Sequence, residues 1–252
     1  MSEAPVAIVT GASSGIGRQA AVQLAARGYR VALVGRRQHE LEATAQLAAG
    51  VAKGAEHRIY VADLGHSERT AALTTAIMAD MGRVDVLVNN AGMAQLGPLA
   101  DGIDEQALRA HVQLNTLSPA IMIATAWPQL VQRPGACIVN ITTMSTVDPF
   151  PGLFSYALSK APLNVMTKSC ATEGAPNVRA FGVAPGCVET PMLRGLFDAQ
   201  TVGTELTVSA TDVATLVVEC VAGQWDAHNG GVVAIEKQDG QVVRWWVGAP
   251  AE

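Results

Sequence analysis

The sequence is short of charge. Only 15% of its 252 residues are Asp, Glu, Lys or Arg, against roughly 25% in an average soluble protein. Basic residues are the minority: 17 Lys and Arg face 22 Asp and Glu, for a net charge of −5. A protein that binds nucleic acid through phosphates needs the opposite sign, so no nucleic-acid partner is expected. Cysteine is sparse, with residues only at 137, 170, 187 and 220. No two have the C-x-x-C spacing of a zinc or redox site, so they read as reduced, mostly buried thiols, and no metal is expected. Long apolar runs are missing. No stretch approaches the ~18 uninterrupted apolar residues of a membrane span. Met1 to Pro5 carries no basic segment, and the apolar run that follows, Val6 to Val9, is too short for a secretory signal. A soluble, unprocessed cytoplasmic chain without membrane contact is the expectation.

Apolar residues, by contrast, make up 49% of the chain, which excludes disorder. They fit a sheet buried on both faces and a further buried surface between subunits. Short apolar runs alternate with longer helix-like segments. Strands are predicted over 6–9, 31–34, 58–62, 84–88, 136–141, 178–184 and 231–235, and helices over 14–27, 38–53, 66–81, 103–127, 154–173 and 211–221. Strands separated by helices of that length imply βαβ units and a parallel sheet. No linker or repeat interrupts the pattern, so residues 1–252 are expected to form a single α/β domain. Its sheet would be doubly wound and parallel, with about seven strands and helices on both faces.

The first strand runs into Thr10-Gly11-Ala12-Ser13-Ser14-Gly15-Ile16-Gly17, and a helix follows at once. Glycine lets the backbone turn tightly and lets a pyrophosphate approach. The helix N-terminus offers free N–H groups and partial positive charge, and Ser13 and Ser14 add hydroxyls. A plain Gly/Ser connection is the alternative. Its place in the first βαβ unit favours a dinucleotide site and a Rossmann-type fold. The spacing is T-G-x-x-x-G-x-G, and no Gly-Lys-Ser/Thr ends it, so it is not a P-loop. Gly11 to Gly15 also spells the G-x-S-x-G elbow of hydrolases. That elbow needs several strands before it, and only ten residues precede this turn.

An acidic residue at the end of the second strand would bind a ribose 2′-hydroxyl and select NAD. Here the strand ends Val34-Gly35-Arg36-Arg37. Two guanidinium groups there predict a 2′-phosphate, hence NADP(H), with Arg36 the stronger candidate. A solvated basic start to the next helix is the alternative.

Tyr156-Ala157-Leu158-Ser159-Lys160 sets a phenol and an ammonium at i and i+4 on one helix face. A free tyrosine titrates near pH ~10 and is a poor acid–base group at neutrality. A nearby cation lowers that pKa. Taken alone, the pair also fits an amphipathic surface turn.

The ordered set is more specific. Thr10 to Gly17, Asn89-Asn90-Ala91-Gly92 after the fourth strand, Asn115 in the next helix, Tyr156 with Lys160, and Pro185-Gly186 after the sixth strand together resemble the short-chain dehydrogenase/reductase family. The resemblance covers roughly residues 5 to 192 and is weaker beyond. It implies that Tyr156 donates a proton to a substrate carbonyl. Lys160 would lower the tyrosine pKa and bond the nicotinamide ribose, and Asn115 would support a water chain to that lysine. Gly11, Ser13, Ser14, Gly15, Ile16 and Gly17 would hold the diphosphate, and Asp63 and Leu64 would flank the adenine. Asn90 and Gly92 would line the coenzyme cleft, with Pro185, Gly186, Val188 and Thr190 around the nicotinamide. The family's serine, thirteen residues before the tyrosine, falls here on Thr143, which keeps the hydroxyl and adds a methyl group. Ser145 stands two residues off that register. Pro162 interrupts the helical hydrogen bonding just after Lys160, and Phe181 stands where a polar residue is usual.

The implied activity is an NADPH-dependent, reversible reduction of a ketone or aldehyde. The same scaffold also serves C=N reduction, epimerisation or non-catalytic NADP binding. Met93, Phe150, Leu153, Met192, Leu193, Leu196 and Phe197 each fit ordinary core packing equally well, but together they point to a small-molecule, mainly apolar carbonyl substrate, under a lid spanning roughly residues 190–210. Trp245 and Trp246 near the end of the chain would pack at a subunit interface or cover the sheet edge. The resemblance implies a homodimer or homotetramer.

Overall fold

The uninterrupted aliphatic and β-branched runs form the strands, as their residue types favour. The computed structural model describes residues 4–52, 54 and 56–248. Lys53, the predicted end of the second helix, lies outside them. The strands are β1 (Val6–Thr10), β2 (Arg30–Gly35), β3 (Arg58–Val61), β4 (Val86–Asn89), β5 (Ala136–Ile141), β6 (Val178–Pro185), β7 (Val188–Glu189), β8 (Val208–Ser209), β9 (Val232–Gln238) and β10 (Gln241–Val247). The helices are α1 (Gly15–Ala26), α2 (Gln38–Val51), α3 (Thr70–Met81), α4 (Glu105–Val112), α5 (Ser118–Leu130), α6 (Phe154–Glu173), α7 (Pro191–Leu196) and α8 (Ala210–Val221).

Among the described residues the main sheet has 8 strands, in the order β10-β9-β6-β5-β4-β1-β2-β3. The strands from β9 to β3 pair in parallel, and β10 adds an antiparallel edge. That edge is the correction to a sheet of about seven strands. The chain reverses its march across the sheet between β1 and β4, and a crevice opens there at the carboxyl ends of the strands. The short β7 and β8 pair separately beyond β6.

Both faces of the sheet are covered. Leu24, Leu41 and Val217, from α1, α2 and α8, pack with Val9, Leu33 and Val139 on one side. Ile77, Met122 and Ala171, from α3, α5 and α6, pack with Ile8, Leu87 and Ile138 on the other. Truncating any one of the large side chains in these layers to Ala costs about 2–5 kcal/mol. No described helix is long and apolar enough to cross a membrane.

Three local features depart from the pattern. The helix predicted over 103–127 is broken into α4, a π turn over Gln113–Leu117, and α5. Asp104 caps its true start, accepting from the backbone N–H of Gln106 at 2.9 Å and Ala107 at 3.1 Å. Pro162 does not end α6, which runs from Phe154 to Glu173. The last predicted strand continues to Gln238. It then turns through Asp239 and Gly240, whose φ angles are 48° and 78°, the conformation of a tight hairpin. The tail is therefore a strand. Arg244 donates to both oxygens of Glu219 on α8, at 2.7 and 2.8 Å. Trp246 stacks on His228 with ring centroids 5.3 Å apart.

Candidate active site

The turn between β1 and α1 is built around glycine for a steric reason. Gly11 has φ +66°, and a Cβ there would stand 2.7 Å from the Asn90 amide nitrogen. A Cβ on Gly17 would stand 2.3 Å from the Gly11 carbonyl oxygen and 2.4 Å from the same amide. Asn90 fills that space because its Nδ2 donates to the Thr10 carbonyl at 2.8 Å. The Thr10 hydroxyl accepts from the N–H groups of Asn90 and Ala91, both at 2.9 Å, and donates to the Val88 carbonyl at 3.2 Å. The turn is thereby sewn to the end of β4. The first turn of α1 has no side-chain cap and no acidic residue, so its N–H groups and positive dipole end are open to an anion. Arg18, missed in the sequence, buttresses this turn from below. It donates to the Ser13 carbonyl at 2.6 Å and the Thr44 hydroxyl at 3.0 Å, and it pairs with Glu40. That pairing holds the Glu40 carboxyl below its usual range.

At the end of β2, Arg37 donates to the Ser14 hydroxyl at 2.9 Å. Arg36 lies 3.9 Å from Asp63, and both side chains are exposed.

The acid–base groups gather at the opposite end, where β5 meets the first turns of α6. Lys160 is buried, and its Nζ donates to the Ile141 carbonyl at 2.7 Å. Burial pushes its pKa down to about 8. Tyr156 lies one turn before it. Burial raises the phenol above its ordinary range, and the hydrogen bond from Thr143 pulls it back. The Thr143 hydroxyl also accepts from the Ser145 N–H at 3.2 Å, which fixes its rotamer. Asn115 is fully buried in the π turn. Its Oδ1 accepts from the Met93 N–H, and its Nδ2 donates to the Met93 carbonyl and the Ser159 hydroxyl, all at 2.9 Å. A Cβ on Gly92 would touch both Asn115 Oδ1, at 3.1 Å, and Lys160 Nζ, at 3.2 Å, so glycine keeps those two groups side by side.

One cleft of about 520 Å³ joins the two ends. Every predicted coenzyme residue lines it except Gly17, which lies beneath the turn. Of the predicted catalytic residues, Thr143, Tyr156 and Lys160 line it, and Asn115 is buried outside it, bonded to Ser159 of α6. Phe150, Leu153, Met192, Leu193, Leu196 and Phe197 form its apolar end, with Phe150 edge-on to Phe197 at 5.6 Å. Met93 does not line the cleft. Met144, Asp148, Leu206, Glu236 and Lys237 do, and the sequence reading missed them. Glu236 and Lys237 sit at the carboxyl end of a strand, where open α/β sheets bind ligands. That placement was the available signal.

A doubly wound sheet with a glycine turn at its switch point, and a buried lysine and a tyrosine at the far end of the same cleft, is the architecture of a dinucleotide-dependent oxidoreductase. Comparison with known proteins agrees. A family model described as short chain dehydrogenase matches residues 5–201. The putative ketoacyl reductase 2 of the granaticin polyketide synthase of Streptomyces violaceoruber is 35% identical over 192 residues, 75% of this chain and 75% of its own. The 2-(R)-hydroxypropyl-CoM dehydrogenase of Xanthobacter autotrophicus (strain ATCC BAA-1158 / Py2) is 36% identical over 199 residues, 77% of this chain and 78% of its own. A short chain dehydrogenase of Pseudocercospora fijiensis (strain CIRAD86) is 31% identical over 189 residues, 74% of this chain but only 60% of its own length. Among solved structures, the 3-ketoacyl-(acyl-carrier-protein) reductase from Brucella melitensis complexed with NADH shares the fold. Its TM-score is 0.82 at 24% identity, covering 95% of this chain and 99% of that one. The protein belongs to the short-chain dehydrogenase/reductase family, a family of oxidoreductases that use a nicotinamide coenzyme.

Proposed function

We propose that the protein is an NADP(H)-dependent reductase that converts a ketone or aldehyde to an alcohol, reversibly. The observation that carries this is the placement of Tyr156 and Thr143, with Tyr156 one turn from the buried Lys160, on the same cleft as the uncapped glycine turn. The residues fit the coenzyme. Glycine at 11 and 17 lets the turn close on Asn90, the uncapped α1 N-terminus suits a diphosphate, and Asp63 and Leu64 suit the adenine side. Arg36 and Arg37 suit a 2′-phosphate, since no carboxylate ends β2.

When bound, the reduced nicotinamide supplies the hydride. Tyr156 supplies the proton to the carbonyl oxygen. The Thr143 hydroxyl donates to the same oxygen and stabilises the charge that develops on it. Lys160, held by Ile141, keeps a positive charge near the phenol and binds the nicotinamide ribose. Asn115 positions Lys160 through its bond to Ser159 of α6. Phe150, Leu153, Met192 and Leu196 exclude water around an apolar acceptor, and the segment from about 190 to 210, containing α7, closes over it as a lid.

A homodimer or homotetramer belongs to the same proposal, supported by Phe154, Leu158 and Val165 standing exposed along α6. Light scattering reads the assembly. The activity is tested with a panel of ketones, aldehydes and cyclic imines, followed by loss of NADPH absorbance. Ketone-dependent oxidation of NADPH is the expected result, and turnover of imines alone would replace the substrate class.

A further inference from the structure

The hairpin of β9 and β10 brings a cation to the acceptor end of the cleft. The last β6–β9 pair is Pro185 with Ile235, so Glu236, Lys237 and Gln238 extend past the end of their neighbour. They are held there by β10, in the pairs Val243 with Glu236, Val242 with Lys237 and Gln241 with Gln238. The ion pair of Arg244 with Glu219 ties β10 to α8. Lys237 lines the cleft and is half-buried. Its side-chain ammonium makes no hydrogen bond or ion pair with any other described residue. Three other charged groups line this end. Lys160 is engaged by the Ile141 carbonyl. Glu236 accepts from the Gln238 amide at 2.7 Å and alternates to the opposite face of the strand from Lys237. Asp148 stands on the loop before α6.

An ammonium at the cleft wall with no protein partner gains when a bound anion completes it. The coenzyme's 2′-phosphate does not, because β9 and β2 are five strand positions apart, about 24 Å at ~4.8 Å per strand. The end of β5, where Lys160 and Tyr156 gather, is two positions from β9, about 10 Å. That distance fits a carbonyl at Tyr156 joined by a few carbons to an anion at Lys237. We infer that Lys237 anchors an oxyanion, a carboxylate in the first instance, on the carbonyl substrate, so that the pocket selects oxo acids over their neutral counterparts. This rests on the reductase assignment above.

The test compares methyl-ketone acids of increasing chain length with their methyl esters, for the full chain and for Lys237→Gln. The acids are expected to be the better substrates. The variant should lose kcat/KM for the best acid roughly 10- to 100-fold more than for its ester, chiefly through KM, as a lost charge-assisted hydrogen bond implies. Equal losses for acid and ester would overturn the anchor while leaving the reductase assignment standing. Hexanoate and 1-hexanol binding, read by calorimetry on protein supplied with NADP+, needs no turnover. Hexanoate affinity should fall in the variant and hexanol affinity should not. If no carbonyl is reduced but hexanoate still depends on Lys237, the reductase assignment fails and the anchor stands. If hexanoate binds both proteins alike, the anchor is wrong.

Discussion

The Lys160 ammonium donates to the main-chain carbonyl of Ile141 at 2.7 Å, at the last residue of β5. With the bond from Asn140 to Thr167, this one ties α6 to the central sheet, and it compensates part of the cost of burying a charge.

The remaining cost predicts a pH dependence. Lys160 loses its proton near pH 8 when folded and near 10.5 when unfolded. Between those values the unfolded chain binds the extra proton, so this group makes folding more favourable as pH rises. Burial raises the Cys137 and Cys170 thiols and works in the opposite direction, equally in both proteins compared. Urea unfolding of wild type and Lys160→Met across this window should show the wild type gaining stability relative to the variant. Parallel curves would contradict a buried, strained ammonium.

Gly17→Ala should fail at the turn rather than at the chemistry. Its Cβ would collide with the Gly11 carbonyl and the Asn90 amide. A destabilisation of about 1–3 kcal/mol and weakened NADPH binding are expected from urea unfolding and fluorescence titration.

If Arg36 and Arg37 bind a 2′-phosphate, replacing them together by neutral residues should weaken NADPH more than NADH, because only NADPH carries that phosphate. The ratio of the two dissociation constants is the readout. An unchanged ratio would remove the case for NADP(H).

Thr143→Val keeps the branched shape and removes the hydroxyl. Activity should fall about 10²–10³-fold, the usual consequence of losing one oxyanion donor. Since the Thr143 bond lowers the Tyr156 pKa, its loss should move that pKa upward. The alkaline limb of reduction, where Tyr156 no longer holds a proton to give, should therefore shift to higher pH. A limb that stays in place would detach Thr143 from Tyr156.

Much of this was legible because local signals agreed with the tertiary structure. The boundaries of β5 and α6 follow from an apolar run and a long helical pattern, and the glycine turn is its own steric argument. The π turn at Asn115 was not legible, since its side chain bonds to Met93, twenty-two residues away, a partner no local pattern reveals. Pro162 reads as a breaker, yet packing of α6 on the sheet carries the helix through it. The hairpin turn at Asp239-Gly240 is a recognisable signal that a short tail hid. With it went Lys237, whose place in the cleft depends on β10 holding β9 out past β6.

The proposed proton transfer from Tyr156 to a substrate carbonyl is the step on which the reductase activity depends. Its most direct test is NADPH oxidation by wild type and Tyr156→Phe on the best ketone, with NADPH binding measured on both. Turnover should vanish in the variant while NADPH still binds. Undiminished ketone reduction by Tyr156→Phe would contradict that proton transfer.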